Sequence, residues 1–496
     1  MVKHFGVLAL AIAAIGSTSC SASRASAPAT AKDGAADASP TTTSAATDES
    51  ADGGASTATT KAAAATPKDP AAELFAYLEA HVPKGGHVEK GDPPKIIHTV
   101  AAGENAESLA KAYLALTEIY YDRDLAKEFA KKNISPGAKI EVPAVITRPI
   151  KADPKEERLG WPEDKILRGV FVTGSYATVA WPQTLDKLAE RGLNAVVLDG
   201  KDYDGYVNYP SKAKIAVESG AIREKNIPDL ARAIRFAHWR GIRVIIRIPC
   251  FHDPWVDKHL PGSRLSIKFT PTGKPIHVDW LESHNPEAQD YAIELAKEAL
   301  DAGADEIQLD YVRFPVHLKQ SVAMLPDPKE RSGIIKAFVK RVHAVTEAAG
   351  AKLSLDFFGV ASTGIQDDID RLGQDIPTVA PEADAISLMA YASHYGKGYM
   401  GWDEPADHPE VVAIANKTAV EKLKPTGAKT VWRTWLQAFP LRVSHYGPAY
   451  VVAQAKHAES SGGHGWLMWS PGCEYSAVWG GWPVINPLPG SKTAKK

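Results

Sequence analysis

The chain has 496 residues, 44% of them hydrophobic and 8% aromatic. That is ordinary for a globular protein, and the length exceeds what one compact domain usually needs. A formal net charge of -2 gives no long-range attraction to nucleic acid or to an acidic membrane surface, so a nucleic-acid partner is not expected.

In chain order, Met1 to His4, the apolar run Phe5–Ile15 and the small residues Gly16–Ser19 read as a secretory signal peptide over residues 1–20. Its apolar part is too short to span a membrane. Cys20 directly after small residues resembles a bacterial lipoprotein cleavage site. Two outcomes stand: simple secretion, or a lipid on Cys20 as the chain's link to a membrane. Residues 21–75, rich in Ala, Ser, Thr, Asp and Gly, bury too little apolar surface to offset the entropy of ordering and read as a disordered tether.

Residues 95–145 show a strand at Ile96–Val100, a helix at Ala106–Ala115, a second helix ending near Asn133, and a turn and closing strand through Pro136, Gly137 and Val142. This strand, helix, helix, strand order resembles the LysM module, a binder of N-acetylglucosamine-containing glycans. The pieces that carry the resemblance are His98-Thr99-Val100, Gly103-Glu104, Ser108-Leu109-Ala110 and Pro136-Gly137 through Pro143. A small structural spacer is the plainer reading.

From 166 to 482 eight strand candidates alternate with helical patterns: Arg168–Thr173, Asn194–Asp199, Arg243–Ile248, Asp305–Asp310, Lys352–Asp356, Asp384–Met389, Lys429–Thr434 and His464–Trp469. Gly192, Gly241, Gly303, Gly350, Gly427 and Gly463 fall between a helix and the next strand, where a left-handed cap is wanted. The pattern predicts an α/β fold, a (β/α)8 TIM barrel. Ile307 and Leu309 should then pack under the helices, and Gln308 and Asp310 should face the barrel axis.

In such a barrel the chemistry sits at strand C-termini. Asp310 and Asp356 end adjacent strands, and a carboxyl pair is what glycoside hydrolysis needs: one to protonate the leaving oxygen, one to attack the anomeric carbon or activate water. Arg313 is expected to bias Asp310 toward its ionised form, making Asp310, Asp356 and Arg313 the catalytic set. Tyr391, Trp435, Trp469 and Trp402 offer flat faces for sugar rings. Asp199, Lys201, Arg247, His394 and Gln437 supply polar groups for hydroxyls. Glu306, Gln308 and Arg433 read as polar core. His252, His277, His284 and His394 lack ligand spacing, and neither a Gly-rich phosphate loop nor a Gly-x-Ser-x-Gly elbow is present, so no metal or cofactor is expected. Cys250 and Cys473 could pair or stand as two buried thiols.

Over about 166–480 the blocks Asn194–Asp202, Arg247-Ile248 with Asp253-Pro254, Glu306–Pro315, Asp356–Gly359, Met389–Gly396, Trp435-Leu436-Gln437 and Trp466–Trp469 resemble a bacterial family of glycoside-hydrolase-type barrels long catalogued as a domain of unknown function. The resemblance implies the barrel fold and a glycosidase activity. The expected protein is a secreted or envelope-attached, monomeric hydrolase of a polysaccharide or peptidoglycan-like glycan. Two other classes stand beside it. A catalytically silent glycan-binding barrel would hold its carboxyls beyond about 10 Å, outside the spacing for hydrolysis. A metal-dependent glycan deacetylase would bind a metal.

Overall fold

A computed structural model describes residues 69–488. The signal peptide, Cys20 and the tether as far as residue 68 lie outside the described residues. The chain divides into two compact units, one ending at Ile150 and the other beginning at Lys151.

The first unit is a three-stranded antiparallel sheet in the order β1 (Gly86–Glu89), β2 (Lys95–Thr99), β3 (Lys139–Glu141), with helices Ala106–Tyr113 and Asp122–Ala130 between the last two strands. Strand, helix, helix, strand is the order read from the sequence. Two elements were missed. One is β1, and the other is the helix Pro70–His81, which takes in the end of the stretch read as a tether. Asp69 accepts a hydrogen bond from Ala71 N, Pro70 starts the helix, and Leu74 and Leu78 are buried. His98 is buried between the Tyr113 hydroxyl, 2.8 Å from Nδ1, and Glu104 Oε2, 2.7 Å from Nε2.

The second unit is a closed parallel (β/α)8 barrel. Its staves are β4 (Leu167–Val172), β5 (Ala195–Asp199), β6 (Arg243–Pro249), β7 (Glu306–Asp310), β8 (Lys352–Phe358), β9 (Ala385–Met389), a seventh formed by β10 (Val431–Trp432) and β11 (Thr434–Gln437), and β12 (Gly465–Trp469). All pairings are parallel, and β12 returns to β4. The seventh stave runs three residues further than expected and breaks at Arg433, whose side chain turns inward to Glu306. Several crossover helices begin on one device: Asp253, Asn285 and Asp327 each cap a helix whose first residue is proline. Gly192, Gly241, Gly303, Gly350 and Gly427 adopt the expected left-handed backbone; before β12 it is Gly462 rather than Gly463 that does so.

Ile307 and Leu309 are fully buried, while Gln308 reaches Ser387 Oγ at 3.0 Å. At the N-terminal ends of the strands the barrel has a floor. Arg433 Nη1 lies 3.0 Å from both oxygens of Glu306, and Trp161 Nε1 donates to Glu306 Oε2 at 2.7 Å. Glu306, Gln308 and Arg433 are therefore polar core, as read from the sequence. Arg158 donates to the carbonyls of Leu300, Ala304 and Ala349. Asp305 accepts from the amides of Leu159, Gly160 and Val244 and bonds His238. The segment ahead of β4 is thereby fastened under the strands.

Candidate active site

At the C-terminal ends of the strands one guanidinium organises three carboxyls. Cross-strand register sets Asp199 beside Arg247 and Pro249 beside Asp310. Arg247 Nη1 donates to Asp199 Oδ1 at 2.6 Å. Its Nη2 and Nε donate to Asp310 Oδ2 at 2.6 and 3.0 Å. Its Nε also lies 3.8 Å from Asp356 Oδ2. The Oδ2 atoms of Asp310 and Asp356 are thus no more than 6.8 Å apart, the sum of their distances to that nitrogen.

The two carboxyls are held differently. Asp310 accepts a third hydrogen bond, on Oδ1, from Tyr311 N at 2.6 Å. Three donors, two of them from a guanidinium, suit a carboxylate anion. The donor, Tyr311, has a left-handed backbone, φ 51°, a strained setting for an aromatic residue. Asp356 accepts one hydrogen bond, from Trp435 Nε1 to Oδ1 at 2.7 Å. Its Oδ2 is buried with no hydrogen-bond partner among the described residues. Burial, and next the charge of Asp310, push the Asp356 carboxyl well above the usual carboxylate range. Asp199, also buried, is pushed up to about 7 by desolvation, against the pull of Arg247.

Several expectations are corrected. Among the described residues Arg313 makes no ion pair with Asp310, although the Asp310 charge favours its cationic form; the direct ion pair to Asp310 comes from Arg247. Lys201 is buried against Asp253 Oδ2, 2.8 Å, and the Pro249 carbonyl, 2.7 Å, so it is a structural cation and not a contact for hydroxyls. Gln437 spends its amide on Ser393 N and the carbonyls of Phe439 and Leu441. Trp435 is 2% exposed and presents no face; its indole N–H holds Asp356. Cys250 and Cys473 are both free and buried.

Aromatic side chains gather beside these groups, with Tyr391 and Phe439 buried. Trp469, half-buried, stacks on Tyr391 at 5.5 Å with Phe439 edge-on to both. His394 flanks Tyr391 at 5.2 Å, and Trp402 lies parallel to His408 at 4.1 Å. Phe439 and Tyr311 were not singled out in the sequence, where nothing marks a left-handed turn after Asp310. Among the described residues no three His, Cys, Asp or Glu side chains converge to hold a metal ion; the cation among these carboxyls is Arg247. A separate cavity of about 490 Å³, lined by residues including Trp161, Lys352 and Asp384, lies at the opposite end of the strands.

A closed eight-stave barrel with acidic side chains gathered at the C-terminal ends of its strands is the architecture of a TIM barrel with a candidate site at its usual face. Residues 169–475 match the family described as "Putative glycosyl hydrolase domain", and the chain belongs to that family. No curated protein matches it. Among solved structures, a hypothetical protein from Ruminiclostridium thermocellum ATCC 27405 is 32% identical, with a TM-score of 0.33, over 38% of this chain and 96% of that one. The spore cortex-lytic enzyme SleL of Bacillus megaterium QM B1551 is 12% identical, TM-score 0.38, over 77% and 84%. The endo-1,4-β-D-mannanase of Thermotoga petrophila RKU-1 is 12% identical, TM-score 0.42, over 61% and 88%.

Proposed function

We propose that this chain is a secreted or envelope-attached glycoside hydrolase of a polysaccharide, with Asp310 as nucleophile and Asp356 as general acid. The observation that carries it is the shared guanidinium. Arg247 ties down Asp310 as an anion and leaves one oxygen of Asp356 unpartnered within 6.8 Å of it. That separation falls below the roughly 10 Å beyond which two carboxyls cannot flank one glycosidic bond. Retention of configuration is the outcome that Asp310 as nucleophile predicts. Asp356, protonated above the ordinary carboxylate range, gives its proton to the leaving oxygen while Asp310 attacks the anomeric carbon. Water then hydrolyses the glycosyl ester, with Asp356 now the base.

The first unit, with its strand, helix, helix, strand order, fits a LysM-like module that keeps the barrel near a glycan. The test is to incubate the mature protein with a panel of bacterial wall and exopolysaccharide glycans and follow new reducing ends. Wild type should release them, and Asp310→Asn should fall by at least about 10³-fold while melting as wild type does. Full activity in Asp310→Asn ends this reading.

A further inference from the structure

Arg313 is left without a task by the geometry above. It is 5% exposed, and its guanidinium lies 4.1 Å from the ring centre of Phe358, 4.6 Å from that of Trp280 and 5.3 Å from that of Tyr311. Among the described residues the one hydrogen bond of its side chain runs from Nη1 to the Phe314 carbonyl, 3.1 Å away. No carboxylate of the described residues pairs with it. Asp310 is engaged by Arg247 and Asp279 by Lys258. A buried charge is ordinarily paired, because desolvating it alone is costly.

Asp310 favours the charge of Arg313 from a distance, without an ion pair or hydrogen bond to it among the described residues. Burial lowers Arg313 to about 10, which leaves it a cation at neutral pH. Burial, then the Arg313 charge, pushes His252 down to about 3, and His317 is lowered for the same two reasons, so both are neutral there. Tyr203 stacks on His252 at 4.3 Å, and Tyr311 lies 4.9 Å from the same ring. The result is an unpaired guanidinium fork in a cage of aromatic rings, three residues beyond the proposed nucleophile.

We propose that Arg313 is the receptor for a carboxylate on the substrate, so that the glycan recognised at this mouth is built from sugar acids. This rests on the glycoside hydrolase reading and names its substrate class. A uronate residue offers the two surfaces this site lacks, an apolar ring face for the aromatic walls and a planar anion that matches the guanidinium fork. A neutral sugar would leave the guanidinium buried and unpaired.

The test is affinity electrophoresis of the full chain through gels containing polygalacturonate, alginate or hyaluronate. Each polymer is compared with its carboxyl-esterified form, and β-mannan serves as the neutral control. Wild type should be retarded by at least one acidic polymer, and at least tenfold less by the same polymer esterified. Arg313→Gln should erase that difference, and Arg313→Lys should keep part of it. Equal binding of the native and esterified forms, or binding of none, overturns the proposal. That comparison uses wild type alone, so it holds even if a variant fails to fold. Carboxyl-dependent binding without new reducing ends would sink the hydrolase reading and keep the receptor. Equal hydrolysis of mannan and of the acidic polymers would do the reverse.

Discussion

Replacing Asp199 by Asn tests the electrostatics of the barrel mouth through stability. Asp199 is 2% exposed, with one oxygen 2.6 Å from Arg247 Nη1, and burial raises its carboxyl to about 7. In the unfolded chain an aspartate titrates near 3.9. The folded value is the higher one, so the folded chain binds the proton more tightly. The stability this contributes is complete below about pH 4 and is lost as the pH rises through 7. Some three pH units at 1.36 kcal/mol each make the loss about 4 kcal/mol. Asn has the shape of the protonated acid and cannot ionise. Asp199→Asn should therefore match wild type near pH 4 and exceed it by about 4 kcal/mol at pH 8. Urea unfolding of the barrel, followed by tryptophan fluorescence at pH 4, 6 and 8, reads the difference directly. The same gap between the two proteins at every pH, or an Asn variant weaker at pH 8, would refute the argument.

Trp435→Phe removes the hydrogen bond that holds down the Asp356 carboxyl; the basic limb of the pH profile of kcat/KM should move to higher pH, and an unmoved limb would detach Asp356 from the acid role. Trp161→Ala uncovers Arg433 and takes a donor from Glu306. It should cost about 2–4 kcal/mol in denaturant unfolding with KM unchanged. Glu104→Gln breaks the contact with buried His98, which holds the Glu104 carboxyl below its usual range. The stability lost, about 1 kcal/mol at pH 7, should disappear as wild type is acidified through that lowered value, read by hydrogen exchange of the amides of β2.

The barrel was legible because its grammar is local. Asp or Asn before Pro starts a helix, glycine ends it, and a short β-branched run follows, as at Asn285, Gly303 and Ile307. The helix Pro70–His81 escaped because its alanines continue the composition of the preceding stretch; Leu74 and Leu78 were the signal. Asp310 and Asp356 could be picked out because strand ends face the site. Their partner could not. Arg247 meets Asp199 and Asp310 through pairings of 48 and 63 residues, whereas Arg313, three residues from Asp310, looked the nearer partner and makes no ion pair with it among the described residues. Lys201 is neutralised by Asp253 on another loop, and Gln437 by backbone atoms, neither of which alternation along one strand reveals.

The floor of the barrel decides where this protein can be cut. A fragment trimmed to residues 169–475 would lose Arg158 and Trp161, and with them the donors to three carbonyls and to Glu306. It would also lose the amides of Ile485 and Asn486, which both donate to the Glu190 carbonyl. The smallest piece expected to express as a soluble barrel therefore starts before Pro154 and runs past Asn486. A crystallographer trimming to the matched segment should expect inclusion bodies.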